Sequence, residues 1–274
     1  RLKLAVQKSG RLTEHSTDLL VRCGLKFSRG KDQLVGYGEN MPLDLLFVRD
    51  DDIPDLVEED VCDLGLVGLN VIEEKRLELA ARGHDAKFSV LRALDFGRCR
   101  LAIAVPDDTA WGGVASLAGK RIATTYPFTL GRFLEQHGIQ AEIVTLSGAV
   151  EIAPRLGRAD AVCDLVSTGS TLVANRLREV ATVLESHAVL VRTPLPLSPE
   201  KAEWVERLLM RIDGVQQAGD VLAGLDRSDE QHVGPRADAV ARQGRAIYCR
   251  VNGRRCREAV PPIRDRHDWP TGKQ

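Results

Sequence analysis

Nowhere in the 274-residue chain is there an apolar run of the roughly 18 residues that a membrane-spanning helix needs. The amino end also lacks the apolar core of a signal peptide, so a cytoplasmic protein is expected. Charge of one sign is missing too: 38 Lys and Arg stand against 39 Asp and Glu, a formal charge of −1. No protein-wide field therefore draws the chain to nucleic acid or to an anionic membrane, and any anion it binds must be held locally. Aromatics make up only 4% of the residues, which leaves the core to Leu, Val, Ile and Ala. The six cysteines (Cys23, Cys62, Cys99, Cys163, Cys249, Cys256) contain no CxxC pair. That argues against a zinc site and a disulfide framework, and reads them as buried or idle thiols. The histidines show no HxxxH or HExxH spacing, and the patterns GxSxG, GxxxxGK[ST] and GxGxxG are absent. Hydrolytic triads, zinc chemistry and the nucleotide P-loop lose their basis with them.

What is present is an alternation. Short apolar runs at 2–6, 43–48, 64–68, 99–105, 121–125, 141–146, 161–166 and 188–192 read as strands. Helical stretches fit between most of them: Thr13 to Arg22, Ile53 to Glu59, Leu130 to Gln136, Ala149 to Leu156 and Thr171 to Arg176. An α/β class with parallel strands follows. Residues 53–68 (IPDLVEEDVCDLGLVG) are echoed by 152–169 (IAPRLGRADAVCDLVSTG). Either this is chance likeness between helix-strand units, or two lobes of similar build face each other across a cleft lined by the carboxyl ends of their strands. After Leu195, Ser198-Pro199-Glu200 opens an amphipathic helix with apolar Val205, Leu208, Leu209 and Ile212. The last 57 residues hold ten Arg, one Lys and only two Leu. They show no dependable strand pairing or helical stripe beyond a short AIYCRV at 246–251, and loose structure or disorder is expected there.

Three segments bear candidate chemistry. Behind the strand AVCDLV, Ser167, Thr168, Gly169, Ser170 and Thr171 set four hydroxyls and a permissive glycine where strand gives way to helix. Backbone N–H groups and hydroxyls converging there would bind phosphate, with Asp164 in reach of a sugar hydroxyl. The competing reading is an ordinary Ser/Thr helix cap with an acidic neighbour. The first loop, Gln7-Lys8-Ser9-Gly10-Arg11, is a second phosphate candidate unless its cations are simply solvated. In Arg49-Asp50-Asp51-Asp52-Ile53-Pro54, Asp52 reads as a helix cap with Asp55 in capping-box position. Arg49 at the cleft edge could clamp pyrophosphate bidentately.

At this point the chain resembles a known family, the long-form ATP phosphoribosyltransferases. The family's pattern is met at Glu151, Gly157, Ala159, Val162, Asp164, Leu165, Thr168, Gly169, Thr171 and Leu172. QKSGRL at 7–12, the segment 39–57, DLGLVGLNVIEE at 63–74, DFGRCRLAIAVP at 95–106 and LAGKRIATTYP at 117–127 are similar to long-form segments, and the likeness covers residues 1 to about 218. The resemblance implies two lobes of periplasmic-binding-protein type. It places lobe I at 1–95, completed by about 180–200, and lobe II with the donor loop at 96–179. A linker helix at 198–217 and an atypical tail at 218–274 follow.

The resemblance also implies transfer of the phosphoribosyl group of phosphoribosyl pyrophosphate to N1 of ATP, with Mg2+ expected through the pyrophosphate and no metal ligand assigned. Thr168, Gly169, Ser170 and Thr171, with Ser167, would hold the 5-phosphate, while Glu151 and Asp164 orient the sugar hydroxyls or support the loop. Lys8, Gly10, Arg11 and Arg49 would face ATP and pyrophosphate, Arg49 stabilising the leaving group. Asp63, Gly65 and Asn70 are weaker nominations near the nucleotide. Family members assemble as dimers and hexamers, and a homo-oligomer is expected, without nucleic-acid or membrane partners.

Long forms continue into a histidine-binding regulatory domain of ferredoxin-like type, which the tail does not resemble. Its Arg-rich composition suggests a reading-frame change near Ala218, to be tested by translating the other two frames. Feedback by histidine and normal assembly are thereby in question. The rival readings are a two-lobed anion or solute binder, which export signals would mark, and an inactive, partner-dependent subunit.

Overall fold

In the computed structural model the apolar run at the amino end becomes the central strand of a sheet. The structure describes residues 1–30, 33–230, 249–251 and 254–256, with side chains up to 218. Along the chain come β1 (Leu2–Gln7), α1 (Arg11–Arg22), β2 (Phe27–Ser28), β3 (Val35–Gly38), β4 (Leu43–Val48), α2 (Ile53–Glu58), β5 (Leu64–Gly68), α3 (Leu69–Ala81) and β6 (Ser89–Ala93). Next are β7 (Cys99–Pro106), β8 (Arg121–Thr124), α4 (Pro127–Gln136), β9 (Glu142–Thr145), β10 (Ala161–Val166), α5 (Ser170–Ala174), β11 (Leu177–Ser186) and β12 (Ala188–Arg192). The helix α6 (Pro199–Glu230) and the strands β13 (Cys249–Val251) and β14 (Arg254–Cys256) complete the described elements.

Two sheets result, one ordered β2-β3-β4-β1-β5-β12-β6 and the other β11-β7-β10-β8-β9. They share a plan. In the first, β4, β1 and β5 run parallel, and β12 and β6 follow antiparallel. In the second, β9, β8 and β10 run parallel, and β7 and β11 follow antiparallel. The chain leaves the first lobe between β6 and β7 and returns between β11 and β12. Within this plan β5 corresponds to β10, α1 to α4 and α3 to α5.

Both faces of each sheet are covered, which is why the strands read as continuous apolar runs. On the first sheet Leu4, Val6, Leu45, Phe47, Leu66 and Leu190 pack with α1 and α6, while Ala5, Val67, Val189 and Val191 meet Ile53, Val57 and Ile72 of α2 and α3. On the second, Leu101, Ile103 and Ile122 meet Leu130 and Leu134 of α4. The opposite face carries the small residues Ala102, Ala104 and Ala123, and there Val150 and Leu172 approach closely. Buried thiols at Cys23 and Cys62 are pushed up to about 11 by desolvation, so they stay protonated and act as small apolar groups.

Several expectations need correction. Ala149–Leu156 is not a helix but a short 3-10 turn at Val150–Ile152 followed by turns. Pro154 has no N–H to extend the ladder, and Gly157 turns left-handed at φ +65°. Asp52 makes no side-chain cap bond; it sits in a 3-10 turn, and Asp55 pairs instead with Lys75 at 2.7 Å. The helix from Ser198 runs beyond Gln217 to Glu230, since a formed helix needs only proline-free residues such as its Ala and Leu to propagate. Ser198 caps it as read, its Oγ accepting from the Lys201 N–H at 3.4 Å. Of AIYCRV, only Cys249–Val251 is described, as one arm of a hairpin with β14. The other expectations for the tail, the frame change included, fall on residues outside those described.

Candidate functional site

Gly169, three residues beyond β10, takes φ +80° and serves as the cap residue of α5. A left-handed turn there costs glycine nothing sterically, and it folds the hydroxyls back toward the strand end. Thr168 Oγ1 lies 3.1 Å from Ser170 Oγ. Buried Leu172 anchors α5 on the alanine-rich face of the sheet, leaving Ser167, Thr168, Ser170 and Thr171 exposed. These residues line a cavity of about 360 Å³ together with Asp164, Glu151 and Arg11. Arg11 is the first residue of α1, so the two lobes meet at this cavity.

Asp164 is half-buried, and its Oδ1 accepts the Leu165 N–H at 2.8 Å. Desolvation raises its pKa, the Leu165 bond opposes this, Glu151 adds to the rise and Arg11 offsets part of it. The cavity therefore holds two carboxylates, one cation and a rim of hydroxyls. Such a set suits a phosphorylated sugar, with hydroxyls and N–H groups for the phosphate and carboxylates for the sugar's own hydroxyls.

The family pattern divides by depth. Ala159, Val162 and Leu172 are buried packing residues. Glu151, Asp164, Thr168, Gly169 and Thr171 line the cavity.

The Gln7–Arg11 loop is shaped from below by Gln7, whose Oε1 accepts the Leu12 N–H at 3.1 Å. Gly10 takes φ +118°, and a Cβ there would come within 2.9 Å of Gln7 Nε2. The Lys8 N–H donates to Val48 O at 2.7 Å, bringing Lys8 beside Arg49. Both side chains are exposed and pair with no carboxylate among the described residues. Neither lines the 360 Å³ cavity.

Three nominated residues stand elsewhere. Asp63 is buried at the amino end of β5, where its carboxylate accepts the Lys3 N–H at 2.8 Å and meets Lys201 Nζ at 2.7 Å. Gly65 is a packing glycine: a Cβ would come within 2.6 Å of Ile53 Cγ2. Asn70 is buried, bonded through its Oδ1 to the Ser186 hydroxyl at 2.8 Å and through Nδ2 to the Tyr126 phenol at 2.9 Å. It joins the lobes without lining the cavity.

Sequence reasoning missed a second lobe-lobe contact. A cavity of about 490 Å³ is lined by Asp50, Asp51, Glu74, Lys75 and Tyr126, among others. Burial raises the Tyr126 pKa, Asn70 opposes this, and Asp50, Asp51 and Asp164 add to the rise. Glu74 of α3 accepts the Phe128 N–H at 2.9 Å, the Thr129 N–H at 2.8 Å and the Thr129 hydroxyl at 2.6 Å. One signal was available: α4 opens with Tyr126-Pro127 and has no capping side chain of its own, so its first N–H groups required an acceptor from elsewhere. A larger hollow of about 830 Å³ near Asp107, Arg155 and Arg176 holds none of the nominated residues.

Fold and site together define a two-lobed α/β protein of periplasmic-binding type with a hydroxyl-rich loop on one lobe. The HisG family model, described as ATP phosphoribosyltransferase, matches residues 49–214. The chain belongs to this family of transferases of histidine biosynthesis. A solved relative is the ATP phosphoribosyl transferase (HisG:HisZ) complex from Thermotoga maritima, with 28% identity and a TM-score of 0.65 over 80% of this chain and 99% of that one. The alkanesulfonate-binding protein SsuA from Xanthomonas axonopodis pv. citri is similar in fold alone, at 18% identity and a TM-score of 0.52, covering 83% of this chain and 75% of that one. No helix among the described residues is long and apolar enough to cross a membrane.

Proposed function

We propose that this chain transfers the phosphoribosyl group of phosphoribosyl pyrophosphate to N1 of ATP, releasing pyrophosphate and giving phosphoribosyl-ATP, the first step of histidine biosynthesis. The observation that carries the reading is the shared cavity, in which the polar residues of the family pattern stand with Arg11 of the other lobe. The hydroxyl loop Ser167–Thr171 takes the 5-phosphate, and Glu151 and Asp164 take the ribose hydroxyls.

As the C1–oxygen bond breaks, positive charge grows on the ribose and negative charge on the departing pyrophosphate. Fixed charges in the right places then supply most of the catalysis. Asp164, on the cavity wall, favours the cationic sugar, while Arg11, Lys8 and Arg49 favour the leaving group and the ATP phosphates. Gly10 lets the first loop approach those phosphates. Mg2+ would arrive on the pyrophosphate, whose own oxygens chelate it. Among the described residues no three His, Cys, Asp or Glu side chains converge on one point.

Purified chain mixed with ATP, phosphoribosyl pyrophosphate and Mg2+ should develop the ultraviolet absorbance of phosphoribosyl-ATP. No product in that mixture would overturn independent activity. A second reading, a catalytic-type subunit that works only with a partner, draws support from the Thermotoga maritima relative, which was solved as a HisG:HisZ complex. Activity that appears only when a second protein is added favours it. Assembly as a homo-oligomer and a place in the cytoplasm belong to the same proposal.

A further inference from the structure

The shared plan of the two sheets makes two helix pairs face each other across the lobes: α1 with α5, and α3 with α4. The pairs are used differently. Between α1 and α5 lies the cavity of about 360 Å³, with Arg11 on one wall and the hydroxyl loop on the other. On the other side α3 is bonded directly to α4. The Glu74 carboxylate takes both orphan N–H groups of Phe128 and Thr129 together with the Thr129 hydroxyl. Thr129 is only 4% exposed and the bonds are part-buried, and a carboxylate at a helix N-terminus also meets the positive end of its dipole. Asn70, one turn earlier on the same face of α3, holds Tyr126 of lobe II and Ser186 at the return crossover.

We propose that Glu74 is a positioning residue for the transfer: it pins α3 to α4 on the closed side of the two-fold plan, and so sets the separation of Arg11 from the hydroxyl loop on the open side. The kinetic part of this proposal rests on the transferase reading, whereas the geometric part does not. Without the pin the lobes sample wider separations, and the fraction of molecules with Arg11 in reach of the donor falls. Apparent affinity falls by the same fraction, while molecules already closed on substrate turn over as before.

The test places spin labels on genetically encoded non-cysteine residues at Glu14 of α1 and Val173 of α5, in full-length chain diluted with unlabelled chain. Both positions are exposed, and Val173 is 74% so. Glu74→Ala should lengthen and broaden the distance distribution, and Thr129→Val, which keeps the carboxylate but removes one of its partners, should do so less. In the assay the KM for phosphoribosyl pyrophosphate should rise about five-fold or more in Glu74→Ala with kcat within about two-fold. Glu74→Gln, which keeps one acceptor oxygen, should recover part of both effects. A Glu74 variant that merely folded poorly would lose active molecules, lowering kcat and leaving KM unchanged. Unchanged distances in both Glu74→Ala and Thr129→Val would overturn the pin, as would a fall in kcat at constant KM. A wild-type chain that forms no phosphoribosyl-ATP would overturn the transferase reading, and the distances alone would then decide for or against the pin.

Discussion

Asp63 and Asp164 belong to the same Val-Cys-Asp-Leu word, yet they stand at different heights along corresponding strands. Asp63 precedes β5 and is held by Lys3 and Lys201, while Asp164 lies well along β10, beside the cavity. The elements repeat between the lobes; the letters do not fall in register. Replacing each by Asn should therefore separate stability from activity. Asp63→Asn leaves Lys201 without its carboxylate and should lower stability by about 1–3 kcal/mol, toward the lower end because Lys201 is partly solvated. Its effect on kcat should be small. Thermal unfolding and steady-state kinetics on the same preparation check both statements.

Asp164 should behave in the opposite sense. Its folded pKa lies above the unfolded value, mainly through desolvation, so the native state binds the proton more tightly. Its contribution to stability is lost as pH rises from the unfolded pKa through the folded one, and at neutral pH the ionised group is a cost. Asp164→Asn should raise Tm at pH 7 more than at pH 4, while turnover falls by about a hundred-fold or more. A lower Tm at pH 7, with turnover intact, would remove both roles.

Arg11 and Arg49 should divide the substrates between them. Arg11 lines the cavity proposed for the donor, so Arg11→Ala should raise the KM for phosphoribosyl pyrophosphate. Arg49→Ala should lower kcat by roughly ten- to a hundred-fold with a smaller change in ATP affinity, as expected for a group that meets charge only as it develops. Unchanged turnover in Arg49→Ala takes that residue out of the mechanism.

Two glycines give a further pair. Gly169→Ala places a side chain at φ +80°, at a cost of about 1–2 kcal/mol, and should weaken donor binding, measured by titration calorimetry. Gly65→Ala puts a methyl against Ile53 and should destabilise the fold by about 1–3 kcal/mol without touching the loop. Donor affinity unchanged in Gly169→Ala would show that the loop's shape is not what holds the phosphate.

The parallel core was legible because strands buried on both faces are apolar throughout. LDLLFV, LGLVG, AVCDLV and AVLVR became strands with the limits read from sequence. The 13-residue α3 was not legible, since its buried positions Asn70, Val71 and Ile72 bunch at one end and the rest is charged. Nor was β11, where shifts in register at Glu179/Ala181 and Thr182/Leu184 break the two-residue alternation. Within the site, the hydroxyl loop and Asp164 could be found because their residue types sit together in the chain. Glu74 and Thr129 could not, being 55 residues apart and joined only by the meeting of the lobes.

The placement of β12 between β5 and β6 also has a bearing on biogenesis. On the ribosome, the segment from Cys99 to Ser186 can form its whole sheet from contiguous chain, whereas the sheet begun by Leu2 must wait for a strand made almost 190 residues later. Until Arg192 emerges the nascent chain carries an open edge on β5 for chaperones to guard.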